Sequence, residues 1–226
     1  MTFDTPTAAL EHILNERHSC RQFLDKPVPN EVITHVLALA QKTASWCNVQ
    51  PWHTTVLSGA AVESFREALS ERALLGGHAP DIPFPDSYQG EFAMRRRECG
   101  MQLYDAVGIT KQDRDGSARQ MLENFRLFGA PHVALISTDK SLGPYALLDC
   151  GLYVGNFLNA AQSLGVATIP QAALATQADF IRARFNWPEN QQFLCGISFG
   201  YKDMDAPINH FRTRRADLDQ AVTLIE

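Results

Sequence analysis

Arg17, Ser19 and Arg21 occupy alternate positions in the segment Arg17-His18-Ser19-Cys20-Arg21. In an extended backbone alternate side chains leave on one face, which sets two guanidiniums around one hydroxyl. Forked N–H donors match phosphate oxygens and a hydroxyl can add a third hydrogen bond, so the spacing predicts a phosphate cradle. The competing reading is a surface arginine pair that is solvated or ion-paired with helix carboxylates. His18 lies between the alternating residues and is expected to point away, offering backbone contact at most. Side chains for metal or thiol chemistry are sparse. The seven histidines are dispersed, with no H-x-x-x-H or H-E-x-x-H pair, and the five cysteines form no C-x-x-C. An odd number of widely spaced cysteines reads as free thiols in a reducing compartment.

The cradle must be held by the elements around it. Thr7 to Arg17 reads as an amphipathic helix with Leu10, Ile13 and Leu14 on one face, and the cradle follows its end. After Pro27 and Pro29, Asn30 is placed as the N-cap of a second helix carrying Ile33, Val36, Leu37 and Ala40. Trp52 to Leu57 reads as a strand, Ser58 as a cap, and Val62, Phe65 and Leu69 as the buried stripe of a third helix. Gly76 to Gly90 is rich in glycine and proline and is expected to be a surface loop, either a plain connector or a substrate lid. Phe84, Tyr88 and Phe92 could stack on an aromatic substrate or belong to the core.

Two helical patterns follow, the second ending near Phe128, and then a buried strand at His132 to Ile136. Tyr145 to Leu164 is apolar on nearly every face, but Asp149, Asn156, Asn159 and Gln162 interrupt it. That pattern fits a buried central helix or a dimer-core helix better than a membrane span. A strand at 167–169, a helix at 179–185 and a strand at 193–199 complete the scheme. Long helices between strands, few βαβ alternations and no G-x-G-x-x-G argue for an α+β sandwich. No repeat or linker marks a boundary, so residues 1–226 are expected to form one domain.

Composition narrows the function classes. The chain has 226 residues, 45% hydrophobic, with a net charge of −5, enough for one sizeable core and unfavourable for broad nucleic-acid binding. Arg95-Arg96-Arg97 sits between Glu91 and Glu98 and reads as a solvated helix face. The start, Met1-Thr2-Phe3-Asp4-Thr5-Pro6, lacks a basic and then apolar leader, so the expected location is the cytoplasm.

The cradle segment, Ala44-Ser45-Trp46-Cys47-Asn48-Val49-Gln50-Pro51-Trp52, Leu164 to Ala173, and the closing run from Gly200-Tyr201 through Pro207, Asn209 and Arg215 together resemble the FMN-dependent nitroreductase family. Ala44 stands where that family commonly has proline. The resemblance spans nearly the whole chain. It implies a small, mostly antiparallel sheet wrapped by helices, in an intertwined homodimer with active sites at the interface. It implies FMN as cofactor and NAD(P)H as co-substrate, with the hydride carried by flavin N5 and no catalytic side chain.

By that resemblance Arg17 and Ser19 hold the FMN phosphate, with His18 beside them, and Arg21 holds the phosphate or reaches the ring's N1/O2 edge. Arg215 matches a phosphate-binding arginine and Arg212 is a second candidate, whereas Arg214 is read as a surface charge. Ser45, Trp46, Asn48 and Gln50 would approach the partner's flavin, while Pro51 and Trp52 are structural. Ile169, Pro170, Gln171 and Ala172 match a loop that covers one ring face and aims a backbone N–H at N5. The implied substrate is a small aromatic molecule, a nitroaromatic or a quinone, with no nucleic-acid or membrane partner. Dehalogenation, ene reduction and non-enzymatic flavin storage remain as alternatives on the same scaffold.

Overall fold

Thr5 starts the first helix, α1 (Pro6–Glu16), where its side-chain oxygen accepts the Ala8 N–H at 3.1 Å. Pro6 sits in the first turn, where no N–H is needed. The computed structural model describes residues 3–226, and Met1 and Thr2 lie outside the described residues. The chain continues as α2 (Asn30–Ala40), β1 (His53–Ser58), α3 (Ala60–Leu74), α4 (Gly90–Ala106), α5 (Arg114–Leu122), β2 (His132–Asp139), α6 (Gly143–Ser163), β3 (Ala167–Gln171), α7 (Ala178–Arg184) and β4 (Gln191–Gly200).

Two expected caps move by one residue. Asn30 is the first residue of α2, and Pro29 is the cap without a side-chain hydrogen bond, because its carbonyl already accepts the N–H groups of Val32 and Ile33. Ser58 closes β1, and Gly59, at φ +56°, turns the chain into α3. That left-handed conformation suits glycine and explains why a serine cap is not used there.

The four strands pair antiparallel in the order β1-β2-β4-β3. This agrees with the small antiparallel sheet wrapped by helices expected of an α+β sandwich. β2 is buried on both faces, which is why its sequence is continuously apolar rather than alternating. Ala134 and Ile136 face the layer of α2 and α6, packing with Ile33, Val36, Tyr153 and Phe157. Val133 and Leu135 face the opposite layer, with Val62, Phe65 and Leu69 of α3 and Ile181 of α7. The period-two alternation of one strand therefore joins two helical layers into one sandwich.

α6 is half covered. Tyr153 and Phe157 are buried, while Tyr145, Leu148 and Leu152 are 61%, 60% and 51% exposed. Leu10 and Leu14 of α1, which packs beside α6, are likewise exposed. Among the described residues no helix is long and apolar enough to cross a membrane.

His132 ties the start of β2 to two other segments. Its Nε2 accepts the Val28 N–H at 2.8 Å, and its Nδ1 lies 2.6 Å from Ser58 Oγ. Accepting at Nε2 requires a neutral ring with the proton on Nδ1. Burial lowers the pKa of His132 below its ordinary 6.5, so the unfolded chain binds this proton more readily. The stabilisation is complete above pH ~6.5 and declines as pH falls below it. The expected result is a steeper loss of denaturant stability from pH 7 to pH 5 in the wild type than in His132→Asn. The variant is itself less stable at pH 7 by about 1–3 kcal/mol, the cost of leaving buried partners unmade. Equal pH slopes in chemical unfolding would remove His132 from the acid response.

Candidate functional site

α1 ends at Arg17, whose N–H donates to the Ile13 carbonyl at 3.0 Å while its own backbone turns extended. Two tertiary attachments then aim the next residues. Ser19 bridges Thr168 of β3 in parallel, with the Cys20 N–H on the Thr168 carbonyl at 3.0 Å. The Arg21 N–H donates to Asn209 Oδ1 at 2.8 Å. Asn209 is buried, and its Nδ2 donates to the carbonyls of Gln22 and Asp203, so one amide locks the cradle to the chain after β4. Asn209 was read only as part of a motif. Its locking role needs contacts that sequence spacing does not contain.

The result is a cavity of about 310 Å³ lined by Arg17, His18, Ser19, Arg21, Cys99, Phe211, Arg212, Thr213 and Arg215, with Leu14 and Asn15 at the end of α1. The alternation expectation holds for Arg17, Ser19 and Arg21, which share this cavity. It fails for His18, which lines the cavity as well. The segment is extended but joins the sheet through only the single Ser19–Thr168 bridge, so no continuous ladder holds His18 on the opposite face.

Among the described residues Arg17, Arg21, Arg212 and Arg215 have no carboxylate partner, whereas six other arginines do. Arg214 is one of those six: it meets Glu98 at 2.8 Å and is 81% exposed at its side chain, consistent with a surface charge. Desolvation and the nearby Arg215 both push the Arg17 pKa below its ordinary value, and desolvation does the same to Arg21. Arg17 and Arg21 are half-buried while Arg212 and Arg215 stand exposed at the cavity's rim; such a cationic cavity is stabilised by an anion, and a phosphate monoester fits its forked donors.

Arg21 also lines a second cavity of about 190 Å³ with Leu103, Tyr104, Asn124, Ile169, Pro170, Gln171 and Ala172. One residue thus joins the cationic end to the end of β3. There the Gln171 side chain turns inward. Its Nε2 donates to the Asn124 carbonyl at 2.9 Å and its Oε1 accepts from Ser198 Oγ. Ala172 is exposed and opens a 3-10 helix (Ala172–Gln177), so its N–H has no partner inside that helix. The residues present fit FMN: unpaired arginines for its phosphate and, for its ring, the exposed Ala172 just past β3, with a backbone donor that its own helix does not use.

Ser45, Trp46, Asn48 and Gln50 line neither cavity of their own chain. They form a tight loop in which Ser45 Oγ accepts the Gln50 N–H at 2.9 Å and Gln50 bonds Gln41 and the Asn48 carbonyl. Cys47, Asn48 and Gln50 all have positive φ, a local cost tolerated where surroundings hold the shape. Asp149 of α6 helps to hold it, accepting the Trp46 N–H at 3.1 Å. The Trp46 ring is 63% exposed and rests on Tyr145. Trp52 is buried, bonded to Gln41 and stacked on Tyr153, consistent with a structural role.

The 76–89 segment carries no helix or strand, but it is pinned. The Asp81 carboxylate accepts the Phe193 N–H at 2.8 Å and pairs with Arg182. Phe84, Tyr88 and Phe92 are exposed, which excludes the core alternative for them.

The expectation that the chain holds no G-x-S-x-G string is corrected by the sequence itself. Gly196-Ile197-Ser198-Phe199-Gly200 has the G-x-S-x-G spacing of a nucleophile elbow. It lies inside β4, where Ser198 is fully buried and donates to Gln171, so it carries no nucleophile. The five cysteines are unpaired, and burial pushes Cys20 and Cys150 up to about 11 and Cys195 up to about 12. Those three thiols stay protonated at neutral pH and are poor nucleophiles.

A cationic cavity joined to a strand end on a helix-wrapped antiparallel sheet defines a class, and the chain belongs to the Nitroreductase family, whose model matches residues 14–201. It is 37% identical over 225 residues to the nitroreductase NfnB of Mycolicibacterium smegmatis, covering 97% of this chain and 93% of that one. It is 31% identical to the chloronitrobenzene nitroreductase of Comamonas testosteroni, with 96% of each chain covered. The solved structure of the FMN-dependent nitroreductase NfnB from Mycobacterium smegmatis in complex with NADPH superposes at a TM-score of 0.94, with 34% identity, covering 98% of this chain and 100% of that chain.

Proposed function

We propose that this chain is an NAD(P)H-dependent FMN oxidoreductase that reduces nitroaromatic compounds, with quinones as a second acceptor class. The observation that carries this reading is one cavity lined by four arginines without carboxylate partners, joined through Arg21 to the cavity at the end of β3. Family membership and the activities for which the relatives are named support it. When bound, FMN supplies hydride transfer at its N5.

The chain's residues bind and orient. Arg17, Ser19, Arg212 and Arg215 would hold the phosphate. Arg21, which lines both cavities, would supply positive charge toward the ring as it is reduced. Ala172 would offer its backbone N–H to the ring, with Ile169 and Pro170 lining the same cavity. Phe84, Tyr88 and Phe92 offer exposed aromatic surface to a flat substrate. Five unpaired cysteines support a reducing, cytoplasmic setting.

The test is direct. The purified protein should be yellow with about one noncovalent FMN per chain, and anaerobic NADH or NADPH should bleach it. A nitroaromatic should then restore the colour faster than a halophenol or an enoate. Tight FMN without bleaching would favour flavin storage, and FAD or no flavin would remove the reading.

The same reading requires a homodimer. Leu10, Leu14, Leu148 and Leu152 form an uncovered apolar face beside the strained 45–50 loop, and a second copy covering it would carry that loop to the partner's flavin. Leu148→Glu with Leu152→Glu should give monomers that have lost FMN, measured by sedimentation with absorbance at the flavin band. A flavin-loaded, active monomer would refute the shared site.

A further inference from the structure

We propose that anion binding in the Arg17 cavity is coupled to proton uptake by His18, so that a phosphate dianion and one proton enter the site together. The inference rests on the assignment of this cavity to the FMN phosphate.

The ring's proton is placed by its surroundings. His18 Nδ1 lies 2.8 Å from the Glu16 carbonyl oxygen. A carbonyl only accepts, so Nδ1 carries the proton and the neutral ring presents Nε2 as an acceptor. Nε2 is buried and has no hydrogen-bond partner. It is an acceptor among donors that do not reach it.

The charges nearest the ring are all positive. They are Arg17 at the end of α1, Lys202 just after β4 and Arg212 of the C-terminal segment, with Arg21 and Arg215 lining the same cavity. The other ionisable groups beside it are the thiols of Cys20, pushed up to about 11, and Cys99 of α4. Glu16 offers the ring its carbonyl, and Glu98 of α4 is held by Arg214. Burial and these cations keep His18 below its ordinary 6.5. No carboxylate on the cavity counters them.

A phosphate dianion reverses this field. It offsets the cations that repel a proton from Nε2 and adds two negative charges to the pocket. Nε2 then takes one proton from solvent, and a partnerless acceptor becomes a donor in a pocket that now contains acceptor oxygens. The phosphate stays dianionic and the histidine holds the proton. No bond other than N–H is made.

The experiment is titration calorimetry of the full chain, stripped of flavin, at pH 7.5 in buffers of different ionisation enthalpy. FMN, inorganic phosphate and riboflavin are the probes. With a second phosphate pKa of ~6, FMN is already dianionic at this pH. Expected are about one half to one proton taken up per FMN, a smaller net uptake with inorganic phosphate, part of which is monoanionic at this pH and gives up its own proton on binding as the dianion, and none with riboflavin. FMN affinity should weaken about five- to tenfold from pH 7 to pH 9, inside the ~100-fold limit that one linked proton sets over two pH units.

His18→Gln keeps a polar amide that does not titrate. It should bind FMN through the arginines with no proton uptake and a flat profile over that range. FMN binding without uptake in the wild type, equal uptake with riboflavin, or undiminished uptake in His18→Gln overturns the coupling while leaving the assignment of the cavity intact. Failure of the wild type to bind FMN overturns the assignment itself and the coupling with it.

Discussion

Arg17→Ala is expected to weaken FMN binding by about 2–3 kcal/mol, the lower part of the range for truncating one partner of a desolvated, hydrogen-bonded charge pair. That is ~30–150-fold in Kd. The protein without flavin should not lose stability. The Arg17 side chain has no carboxylate partner, and burial and Arg215 already disfavour its charge. The hydrogen bond that ends α1 comes from the Arg17 backbone and survives the change. Fluorescence-quenching titration with FMN, paired with thermal unfolding of the flavin-free protein, separates binding from folding. Arg17→Lys should fall between the two, since it keeps the charge but loses the planar fork. An unchanged FMN affinity in the alanine variant would place Arg17 outside the site.

Ala172→Pro should keep FMN yet slow its reduction by NAD(P)H at least tenfold, on the order of the cost of removing one well-placed donor to developing charge. The fold is suited to this substitution. Ala172 is the first residue of a 3-10 helix, a position that tolerates proline. Gln171 before it is extended at φ −127°, ψ 93°, as a residue preceding proline must be. The Gln171 side chain stays locked between Asn124 and Ser198. What the proline removes is one N–H. Ala172→Gly keeps that donor and should stay near the wild-type rate, and stopped-flow bleaching measures the step directly. A proline variant that bleaches normally would move the donor to another backbone group.

Local pattern carried most of the elements. The spacing of Val62, Phe65 and Leu69, the continuous run His132 to Ile136 and the polar interruptions of 145–164 each reflect burial imposed within a short window. The shared face of Arg17, Ser19 and Arg21 was legible for the same reason, because alternation is a local property of extended chain. The caps were less legible: Asn30 and Ser58 have capping chemistry, but Pro29 and Gly59 hold the positions through backbone conformation.

Residues 17–19, 21 and 99 meet residues 211–213 and 215 in one cavity only because Asn209 and Thr168 stitch the cradle to distant chain. The inward turn of Gln171, the burial of Ser198 within an elbow-like string, and the partnerless Nε2 of His18 were equally invisible in sequence. Periodicity reports which face of an element is buried. Which two faces meet, and which polar atoms are left facing each other when they do, is decided by packing between elements far apart in the chain, and only the tertiary structure contains it.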